Sequence, residues 1–515
     1  MPLPANHIDL YAEFRLLTCG SHWDGGYALV DALRYFGIDA VDAAGKTEMR
    51  KLAVRGGPFT AEEKRDLLRY CERDVEATLR LFGVMRDKID LPRALIRGRY
   101  VNVVAMMEHH GIPVDADLVG QLRENWAEIR GLLISSVDRD YGVFDRGSFR
   151  TRRWEEWLRT RGIEWPRLAS GAMALDFDTF RDVARSYPEV APMKELRATL
   201  SKLRIDSLPV GPDGRNRTLL SPFRAKTGRN QPKSSQFIFG PAKWVRGLIR
   251  PPAGKALAYC DFSNQEFGIS AALSGDIGMQ AAYCTGDPYL AFAKSAGAAP
   301  EDATAKSHRA ARTLFKTCVL GMQYAMGAET LARRTKLSIA HARALIDTHR
   351  TTYPAYWRWT QSVQDQATLN GQLQASFGWR VRVNDDTNPR STGNFLAQAN
   401  GAEMLRVACI LASEARVAIC APLHDALLIE ADADDIDVHV ELCRSAMRRA
   451  SELVLAGFPL RIEAKITRYP DRFPTSAAAM WEKVLGILDQ VAPDAAVGRN
   501  GTPSVSPGNT RLLFS

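Results

Sequence analysis

The hydrophobic positions of the chain fall into short continuous runs and longer amphipathic ones. One short run covers residues 256–260, after a stretch rich in Pro and Gly. Its length is that of a buried strand, and the strand would end on Asp261. An amphipathic pattern then begins at Ser263 and stops at Gly275. The pattern predicts a strand that feeds a helix, with a carboxylate at the junction. An Asp there is a candidate metal ligand, although many strands end on a solvated Asp.

Two more apolar runs, over residues 417–423 and 426–429, flank His424 and Asp425. They predict a tight β-hairpin with a carboxylate at its turn, where an Asp is also ordinary turn chemistry. Two carboxylates about 4 Å apart repel by roughly 4 kcal/mol at an effective dielectric of about 20, and cations between them remove that repulsion. Two divalent ions bridged by carboxylates serve in-line phosphoryl or nucleotidyl transfer.

A third stretch, residues 308–324, has the period of a helix. Arg312, Lys316 and Leu320 recur every four residues and therefore share one helix face. Two cations one turn apart can grip a polyphosphate, the Arg by a fork of N–H groups and the Lys as a point charge. The alternative is a solvated basic face.

The pattern divides the rest of the chain into segments of different kinds. An apolar stripe of helical period predicts a helical segment over residues 93–205. Its members are Leu122, Trp126, Ile129 and Leu133. From about residue 206, Gly, Pro and Asn mark loops. Residues 487–515 are rich in Ala, Gly, Pro and Ser and are predicted to be disordered.

Composition narrows the class of protein. The chain has 515 residues, too many for one domain, and 46% of them are hydrophobic. The formal net charge of +9 indicates a polyanionic partner. No long apolar run and no secretory signal is present, so we expect a cytoplasmic protein that does not cross a membrane. The eight cysteines include no C-x-x-C pair and are expected to be reduced core residues rather than zinc ligands.

In this order, the three stretches resemble motifs A, B and C of the family A DNA polymerases, the bacterial DNA polymerase I type. Residues 261–276 are similar to motif A, residues 312–327 to motif B and residues 423–431 to motif C. Residues 377–408 are similar to the segment of that family that supports the template strand and the primer terminus. The likeness extends over roughly residues 95–470. Each motif alone would be a weak signal, whereas the ordered set is specific.

The resemblance implies an α+β, multidomain fold of the right-hand polymerase type, with an antiparallel sheet in the palm and helical fingers and thumb. The implied boundaries are 93–205 for the thumb, 206–275 and 365–486 for the palm, 276–364 for the fingers, and 487–515 for the disordered tail.

Residues 1–92 are similar to part of a ribonuclease-H-like 3′–5′ exonuclease domain. Tyr70 and Asp74 match the Y-x3-D pattern of the third motif of that fold. The two earlier carboxylate motifs are missing, so the chain is expected to begin partway through such a domain and to have no exonuclease activity. Tyr70 and Asp74 are equally well explained as surface residues of a helix.

The resemblance also implies the roles of individual residues. Asp261 and Asp425, with the Phe262 carbonyl, would hold two Mg²⁺ ions. Arg312 and Lys316 would grip the triphosphate, and Lys316 would also protonate the leaving group. Further residues implied to contact the nucleotide are Leu320, Tyr324 and Glu266, and those implied to contact DNA are Arg229, Gln398, His424 and Arg380.

Glu266 matches the residue that crowds the sugar 2′ position and excludes ribonucleotides. It also completes a capping-box pattern, S-x-x-E, with Ser263. Three positions depart from the family pattern: Leu320 replaces an aromatic residue, Ala325 a glycine and Ala426 a glutamate. These departures are expected to affect rate and fidelity rather than the class of reaction.

The implied function is template-directed DNA synthesis, in replication or repair, without proofreading. A monomer in the cytoplasm, associated with the nucleoid, would bind primer–template DNA and dNTPs and add dNMP to a primer 3′-OH with two Mg²⁺ ions. The alternative is a catalytically weak, DNA-binding remnant of a polymerase. The presence of Asp261, Asp425, Arg312 and Lys316 argues against that alternative.

Overall fold

The computed structural model describes residues 4 and 6–493, except 39–42, 169, 203–204, 206–207, 241, 385–386 and 388. Within them the chain combines helices with antiparallel strands, which confirms the α+β prediction. The boundary expected at residue 487 is wrong, because the helix Ala478–Val491 continues through it with Ile487 and Leu488 buried. The predicted tail from residue 494 onward lies outside the described residues.

Among its described residues, the N-terminal region contains four α-helices. They are α1 (Leu10–Thr18), α2 (Leu29–Tyr35), α3 (Ala43–Arg55) and α4 (Ala61–Met85). Phe14 of α1, Leu33 of α2, and Leu81 and Met85 of α4 share a small core. No strand lies among the described residues of 1–92. A ribonuclease-H-like domain requires a sheet, so the described residues give that interpretation no support, and it stays a prediction.

A second helical region follows. It consists of α5 (Leu91–His110), α6 (Ala116–Glu124), α7 (Trp126–Asp138), α8 (Thr151–Thr160), α9 (Phe177–Ser186) and α10 (Ala191–Lys202). The predicted apolar stripe is buried at Leu122, Ile129 and Leu133, but it is divided between two helices because α6 ends before Asn125 and α7 begins after it. Two ribbons accompany these helices: β1 (Ile112–Pro113) with β4 (Arg215–Asn216), and β2 (Phe144–Asp145) with β3 (Ser148–Phe149).

A four-stranded antiparallel sheet forms the main β-structure of the molecule. In spatial order its strands are β10 (Ile462–Arg468), β5 (Lys255–Phe262), β9 (Ala426–Asp432) and β8 (Ala418–Leu423). The predicted strand that carries Asp261 and the predicted hairpin at residues 424–425 are both confirmed. Because β5 lies between β10 and β9, Asp261 is flanked by Glu463 on one side and by Ala426 on the other.

Long helices pack around this sheet. α18 (Pro389–Glu414) and α19 (Ile436–Val454) lie against one another, and α19 also contacts β5. A hairpin of β6 (Gln372–Gln374) and β7 (Arg380–Arg382) is fastened to α18. Glu403 of α18 accepts hydrogen bonds from the N–H groups of Phe377 and Trp379 in its turn, at 2.7 and 2.8 Å. α20 (Ala478–Val491) packs on α7.

Seven helices form a third helical region after β5. They are α11 (Gln265–Ser274), α12 (Ile277–Cys284), α13 (Pro288–Ser295), α14 (Arg309–Gln323), α15 (Ala328–Thr335), α16 (Ile339–Thr352) and α17 (Pro354–Asn370). The buried carboxylate of Asp276 joins α12 to α17, because it accepts hydrogen bonds from the N–H groups of Met279, Ala355 and Tyr356. None of the helices in the described part of the chain has both the length and the apolar character of a membrane span.

Candidate active site

Two carboxylates lie side by side at one end of β5. Asp261 is the next-to-last residue of that strand, and Asp425 occupies the two-residue turn between β8 and β9, where His424 has a left-handed φ of 54°. The Phe262 N–H donates to the Asp425 carbonyl oxygen at 3.1 Å, which fixes the turn against the end of β5. The two carboxyl groups are close enough to share a hydrogen bond. The structure thus brings together both residues predicted to bind metal.

Burial controls the charge of this pair. Removal from water raises the pKa of Asp425, and the positive charge of Arg229 only partly opposes that effect. A hydrogen bond between two carboxyl groups requires a proton, and a divalent cation can take the place of that proton by attracting both ionised groups. Carboxylate oxygens are the hard ligands that Mg²⁺ prefers. The donor set therefore fits a divalent cation.

A third acidic residue, which the sequence motifs did not reveal, lies beside Asp261. Glu463 on β10 is directly opposite Asp261, so both side chains lie on the same face of the sheet. The Glu463 carboxylate accepts a hydrogen bond from the Ser263 hydroxyl at 2.8 Å. Ala426, the position of a glutamate in the family pattern, is opposite Asp261 on the other side. Only the strand register shows this relation.

Tyr259 is another neighbour that the motifs did not indicate. It lies two positions before Asp261 on β5 and therefore shares its face of the sheet. Its side chain is buried, and its hydroxyl has no hydrogen-bond partner among the described residues. Burial, together with the charges of Asp261 and Asp425, raises the pKa of Tyr259 well above its ordinary value. The phenol is consequently neutral at physiological pH.

The predicted helix with two cations one turn apart is α14. The Arg312 guanidinium and the Lys316 ammonium lie 5.9 and 5.7 Å from the centre of the Tyr289 ring. Arg312 also forms an ion pair with Asp287. The other carboxylate oxygen of Asp287 caps α13 by accepting a hydrogen bond from the Leu290 N–H at 3.2 Å. Asp287 therefore neutralises Arg312 in this structure, a pairing that the periodic pattern did not indicate.

Glu266 and Tyr324 meet where α11 passes the end of α14. The Tyr324 hydroxyl donates to Glu266 Oε1 at 2.8 Å, and Arg229 Nη2 is 3.8 Å from the same oxygen. Partial burial and the Glu266 charge raise the pKa of Tyr324 to about 12, so the hydroxyl stays protonated. Three predicted residues from separate segments are thus brought together. Leu320, one turn before Tyr324, is half-buried against the main core.

Two residues near Glu266 and Tyr324 have left-handed backbone conformations. Ala325 has a φ of 52°, a conformation that favours the glycine of the family pattern. The capping-box interpretation of Glu266 is wrong, because α11 begins after Asn264, which has a left-handed φ of 51°. The Ser263 hydroxyl donates to Glu463 instead of capping the helix. The chain must turn sharply after β5, and a left-handed Asn makes that turn within one residue.

The residues predicted to contact DNA lie on four elements. Arg229 is in a loop before β5, Arg380 is on β7, Gln398 is on α18 and His424 is in the β8–β9 turn. His424 is exposed at the turn, yet the dense protein on its other sides and the charge of Arg229 lower its pKa. Arg380 and Gln398 are half-buried. The described contacts bring Arg229 and His424 to the carboxylate pair and place Arg380 and Gln398 on neighbouring elements.

Tyr70 and Asp74 lie one turn apart on α4, where both are half-exposed. Partial burial and a hydrogen bond to Asp74 raise the pKa of Tyr70. Within the described part of residues 1–92, no group of three or more metal-ligating side chains occurs. This setting agrees with the interpretation of the pair as surface residues of a helix.

One cluster elsewhere in the described chain has the composition of a metal site. The ligand atoms of His110, Cys420 and Glu430 lie within 4.8 Å of one another. Arg215, however, donates to both carboxylate oxygens of Glu430 at 2.8 Å. Burial opposes ionisation of Glu430, but His110 and Arg215 together lower its pKa to about 2. The guanidinium already neutralises this carboxylate, so the cluster is an ion pair that joins α5 and β4 to the sheet.

Comparisons with known proteins find similarity to DNA polymerases. Residues 229–469 match the family model described as DNA polymerase family A. The chain is 25% identical over 421 residues to DNA polymerase I of Chloroflexus aurantiacus, which covers 73% of this chain and 44% of that protein. It is 25% identical over 386 residues to the DNA polymerase of Mycobacterium phage D29, which covers 72% and 62% respectively. The chain thus spans less than two thirds of the length of these relatives.

The fold is similar to a solved polymerase domain. The structure titled POL domain of Pol1 from M. smegmatis, in complex with DNA primer-template and dNTP, has a TM-score of 0.68 and 22% identity. The similarity covers 88% of this chain and 81% of that one. The segment that matches the family model contains Asp261, Arg312 and Asp425. Residues 229–469, slightly less than half of the chain, thus match DNA polymerase family A, and the relatives that cover most of the chain are DNA polymerases.

Proposed function

We propose that the protein is a DNA-directed DNA polymerase that adds dNMP from dNTP to a primer 3′-OH under the direction of a template, in replication or repair. The observation that carries the proposal is the Asp261–Asp425 pair, fixed side by side where β5 meets the β8–β9 turn. The match of residues 229–469 to the family A model supports the same reaction. The proposal includes action as a monomer in the cytoplasm, at the nucleoid.

Asp261 and Asp425, with the Phe262 carbonyl, would hold two Mg²⁺ ions. Such ions, when bound, would lower the pKa of the primer 3′-OH and neutralise charge on the triphosphate and the leaving pyrophosphate. Because burial raises the pKa of Asp425, its ionised form depends on neighbouring positive charge. Glu463 adds negative charge beside Asp261 on the adjacent strand.

Arg312 and Lys316 would bind the triphosphate. Arg312 is paired with the single carboxylate of Asp287, so nucleotide binding would exchange that partner for several phosphate oxygens. Both cations lie near the Tyr289 ring and therefore on the same side of α14. Lys316 would protonate the leaving pyrophosphate.

The remaining residues would orient sugar and DNA. Glu266 would select deoxyribose, because Tyr324 and Arg229 hold its carboxylate in a defined position. Arg229 and His424 would contact DNA at the primer terminus. Gln398 and Arg380 would contact it from the neighbouring elements. Contacts of this kind position a duplex without reading its sequence.

The proposal also excludes proofreading. Hydrolysis of a phosphodiester by two metal ions requires several carboxylates around them. The described part of residues 1–92 has no group of three or more metal-ligating side chains, and Asp74 is engaged by Tyr70.

Primer extension on a labelled primer–template with Mg²⁺, with and without dNTPs, tests these proposals. Templated extension with dNTPs, and an unshortened primer without them, would support a polymerase that lacks proofreading. Tight, salt-sensitive binding without extension would indicate the DNA-binding remnant instead. A shortened primer would overturn the proposed absence of an exonuclease.

Matched variants make the test specific to the carboxylate pair. Asp425→Ala is expected to abolish nucleotide addition while primer–template affinity changes by no more than a few fold, since phosphate contacts dominate affinity. Asp432→Ala removes an exposed carboxylate, paired with Lys255, from the far end of β9 and should retain extension. Extension by Asp425→Ala would contradict the two-metal assignment.

A further inference from the structure

The loop that carries Arg229 exposes cations and turns its carbonyl groups toward the protein. Arg224 and Lys226 are exposed, and Arg229 is half-buried. The loop is tight, because the Gly228 N–H donates to the Ala225 carbonyl at 2.8 Å and Gly228 has a φ of 75°. The position of Arg229 therefore depends on what holds the carbonyl groups of residues 223–228.

Helix α1 and Cys19, the residue that follows it, supply donors to this loop. Arg15 Nε donates to the Phe223 carbonyl at 2.9 Å, and a second guanidinium nitrogen of Arg15 donates to the Arg224 carbonyl. The Cys19 thiol reaches the Lys226 carbonyl at 3.2 Å. A planar guanidinium fixes two acceptors relative to one another, which a single donor cannot do.

Helix α18 and the β6–β7 turn supply donors to the last part. Trp379 Nε1 donates to the Lys226 carbonyl at 2.8 Å, and Arg406 Nη1 donates to the Gly228 carbonyl at 2.9 Å. The Trp379 ring stacks on Phe223 with ring centres 5.5 Å apart. It also lies so close to Gly228 that a Cβ there would be 2.8 Å from the indole. The loop is thus held between α1 and α18.

Helix α1 is itself attached firmly to the rest of the molecule. Glu13 and Arg97 of α5 form a buried bidentate ion pair with distances of 2.6 and 2.8 Å. After the helix, the Cys19 carbonyl accepts a hydrogen bond from the Arg382 N–H of β7 at 2.9 Å. Gly20 has a φ of 75°, and a Cβ there would lie 2.3 Å from the Arg382 carbonyl oxygen. α1 is therefore a rigid support rather than a loosely tethered segment.

We propose that α1 is a positioning element for DNA binding, in which Arg15 sets the place of Arg229 by fixing the carbonyl groups of residues 223 and 224. The inference rests on the proposed function, because it takes Arg229 as a contact to primer–template DNA. α1 lies outside residues 229–469, the segment that matches the family model, and inside the stretch expected to resemble an exonuclease. The N-terminal region would then support DNA binding rather than proofreading.

Substitution of Arg15 in the full chain tests the proposal. Arg15→Ala removes both donors from the loop and leaves Trp379 and Arg406 in place, so we expect affinity for a labelled primer–template to fall about fivefold or more. Arg15→Lys keeps the charge and one donor and should lose less. Arg69→Ala removes the same charge from an exposed position on α4, where it pairs with Asp66, and should bind as the wild type does. Thermal melting of each variant shows that the fold is kept.

Combination with Arg229→Ala separates positioning from a general structural effect. If Arg15 acts through Arg229, Arg15→Ala weakens DNA binding in the wild-type background and has no further effect in Arg229→Ala. It should raise KM for DNA in the wild-type background and leave KM for DNA unchanged in the Arg229→Ala background. Equal losses in both backgrounds would overturn the proposal.

The same titrations distinguish the two levels of inference. Failure of the wild type to bind primer–template DNA would remove the proposed function. Weaker binding by Arg229→Ala with unchanged binding by Arg15→Ala would leave the proposed function intact and reject the role of α1.

Discussion

The positions of single side chains in the site are fixed by their hydrogen bonds and ion pairs. Glu266 accepts a hydrogen bond from Tyr324 at 2.8 Å and lies 3.8 Å from Arg229, so its carboxylate has little freedom. Glu266→Ala removes the group that would crowd a ribose 2′-OH. We expect it to keep DNA synthesis and to lower discrimination against ribonucleotides by roughly 10- to 100-fold, measured as the ratio of kcat/KM for dNTP and rNTP.

Tyr324→Phe is the matched control for that variant. It removes only the hydroxyl that holds Glu266, so its effect on sugar discrimination should be smaller while Arg229 still faces the carboxylate. Unchanged discrimination in Glu266→Ala would mean that the link between Glu266 and Tyr324 is only structural.

Glu463 gives a second prediction at the residue scale. It faces Asp261 across the β5–β10 register, where its negative charge would attract a divalent cation bound at Asp261. Glu463→Gln keeps the size of the side chain and an oxygen that can accept from Ser263. We expect Mn²⁺ to bind about three- to fivefold more weakly, as measured by calorimetry or electron paramagnetic resonance.

An acidic residue on α19 provides the comparison for this variant. Glu441 is exposed and pairs with Arg444, so Glu441→Gln removes one negative charge without changing the surroundings of Asp261. If both variants bind Mn²⁺ as the wild type does, Glu463 has no part in the cation site.

At the scale of elements, the sequence predicts a helix, strand or turn correctly where the residues of that segment determine it by themselves. The run before Asp261 is uniformly apolar and becomes β5, and Leu423 and Ala426 close the predicted two-residue turn. Arg312 and Lys316 share one face of α14 because spacing by four residues requires it.

Elements are mispredicted where a single residue changes the direction of the chain. The stripe through Leu122 and Ile129 is continuous in the sequence, but the chain breaks at Asn125 and the two residues lie on different helices. Ser263 has the spacing of a helix cap, yet the left-handed Asn264 starts α11 and the Ser263 hydroxyl turns to β10. Partners such as Glu463 and Asp287 depend on tertiary packing, which local periodicity does not encode.

Asp276 supports a prediction about the α11–α17 region. Its carboxylate is 2% exposed and accepts three backbone hydrogen bonds, from Met279 on α12 and from Ala355 and Tyr356 on α17. Asp276→Ala would leave these N–H groups buried without that acceptor, at about 1 to 3 kcal/mol each. We expect hydrogen exchange at these three amides to accelerate strongly while exchange in β5 is unchanged.

A conservative variant refines this test. Asp276→Asn keeps one acceptor oxygen but turns an NH₂ group toward N–H donors, so its effect should fall between those of the wild type and Asp276→Ala. Asp347→Asn, an exposed change on α16, should leave exchange unaffected. Slow exchange of Ala355 and Tyr356 in Asp276→Ala would show that α17 is held by other contacts.

At the scale of the whole molecule, the site is assembled by contacts between distant parts of the chain. Asp261 and Asp425 meet because two hairpin strands and β5 share one sheet. The loop of Arg229 is held by a helix more than 200 positions earlier and by α18 later in the chain. The motifs name the residues of the site, and only the fold shows what holds them.

The stability of the whole molecule should depend on pH through one buried histidine, His349. His349 on α16 is fully buried among Phe292, Tyr353 and Tyr356, and its Nδ1 accepts a hydrogen bond from Trp357 Nε1 at 3.0 Å. Burial lowers its pKa from 6.5 to about 3. As the pH falls below 6.5, His349 becomes protonated in the unfolded chain but stays neutral in the folded protein. The free energy of unfolding therefore decreases from about pH 6.5 downward until the pH approaches 3.

His349→Gln tests this linkage, because glutamine keeps an acceptor for Trp357 but does not titrate in this range. The free energy of unfolding of the wild type should fall by about 2 kcal/mol more than that of His349→Gln between pH 7.5 and pH 5, in urea titrations at each pH. His341→Gln changes an exposed histidine on the same helix and should keep the wild-type pH dependence. Parallel pH profiles for the wild type and His349→Gln would mean that His349 accepts its proton in the folded protein, and that the aromatic cluster opens to water.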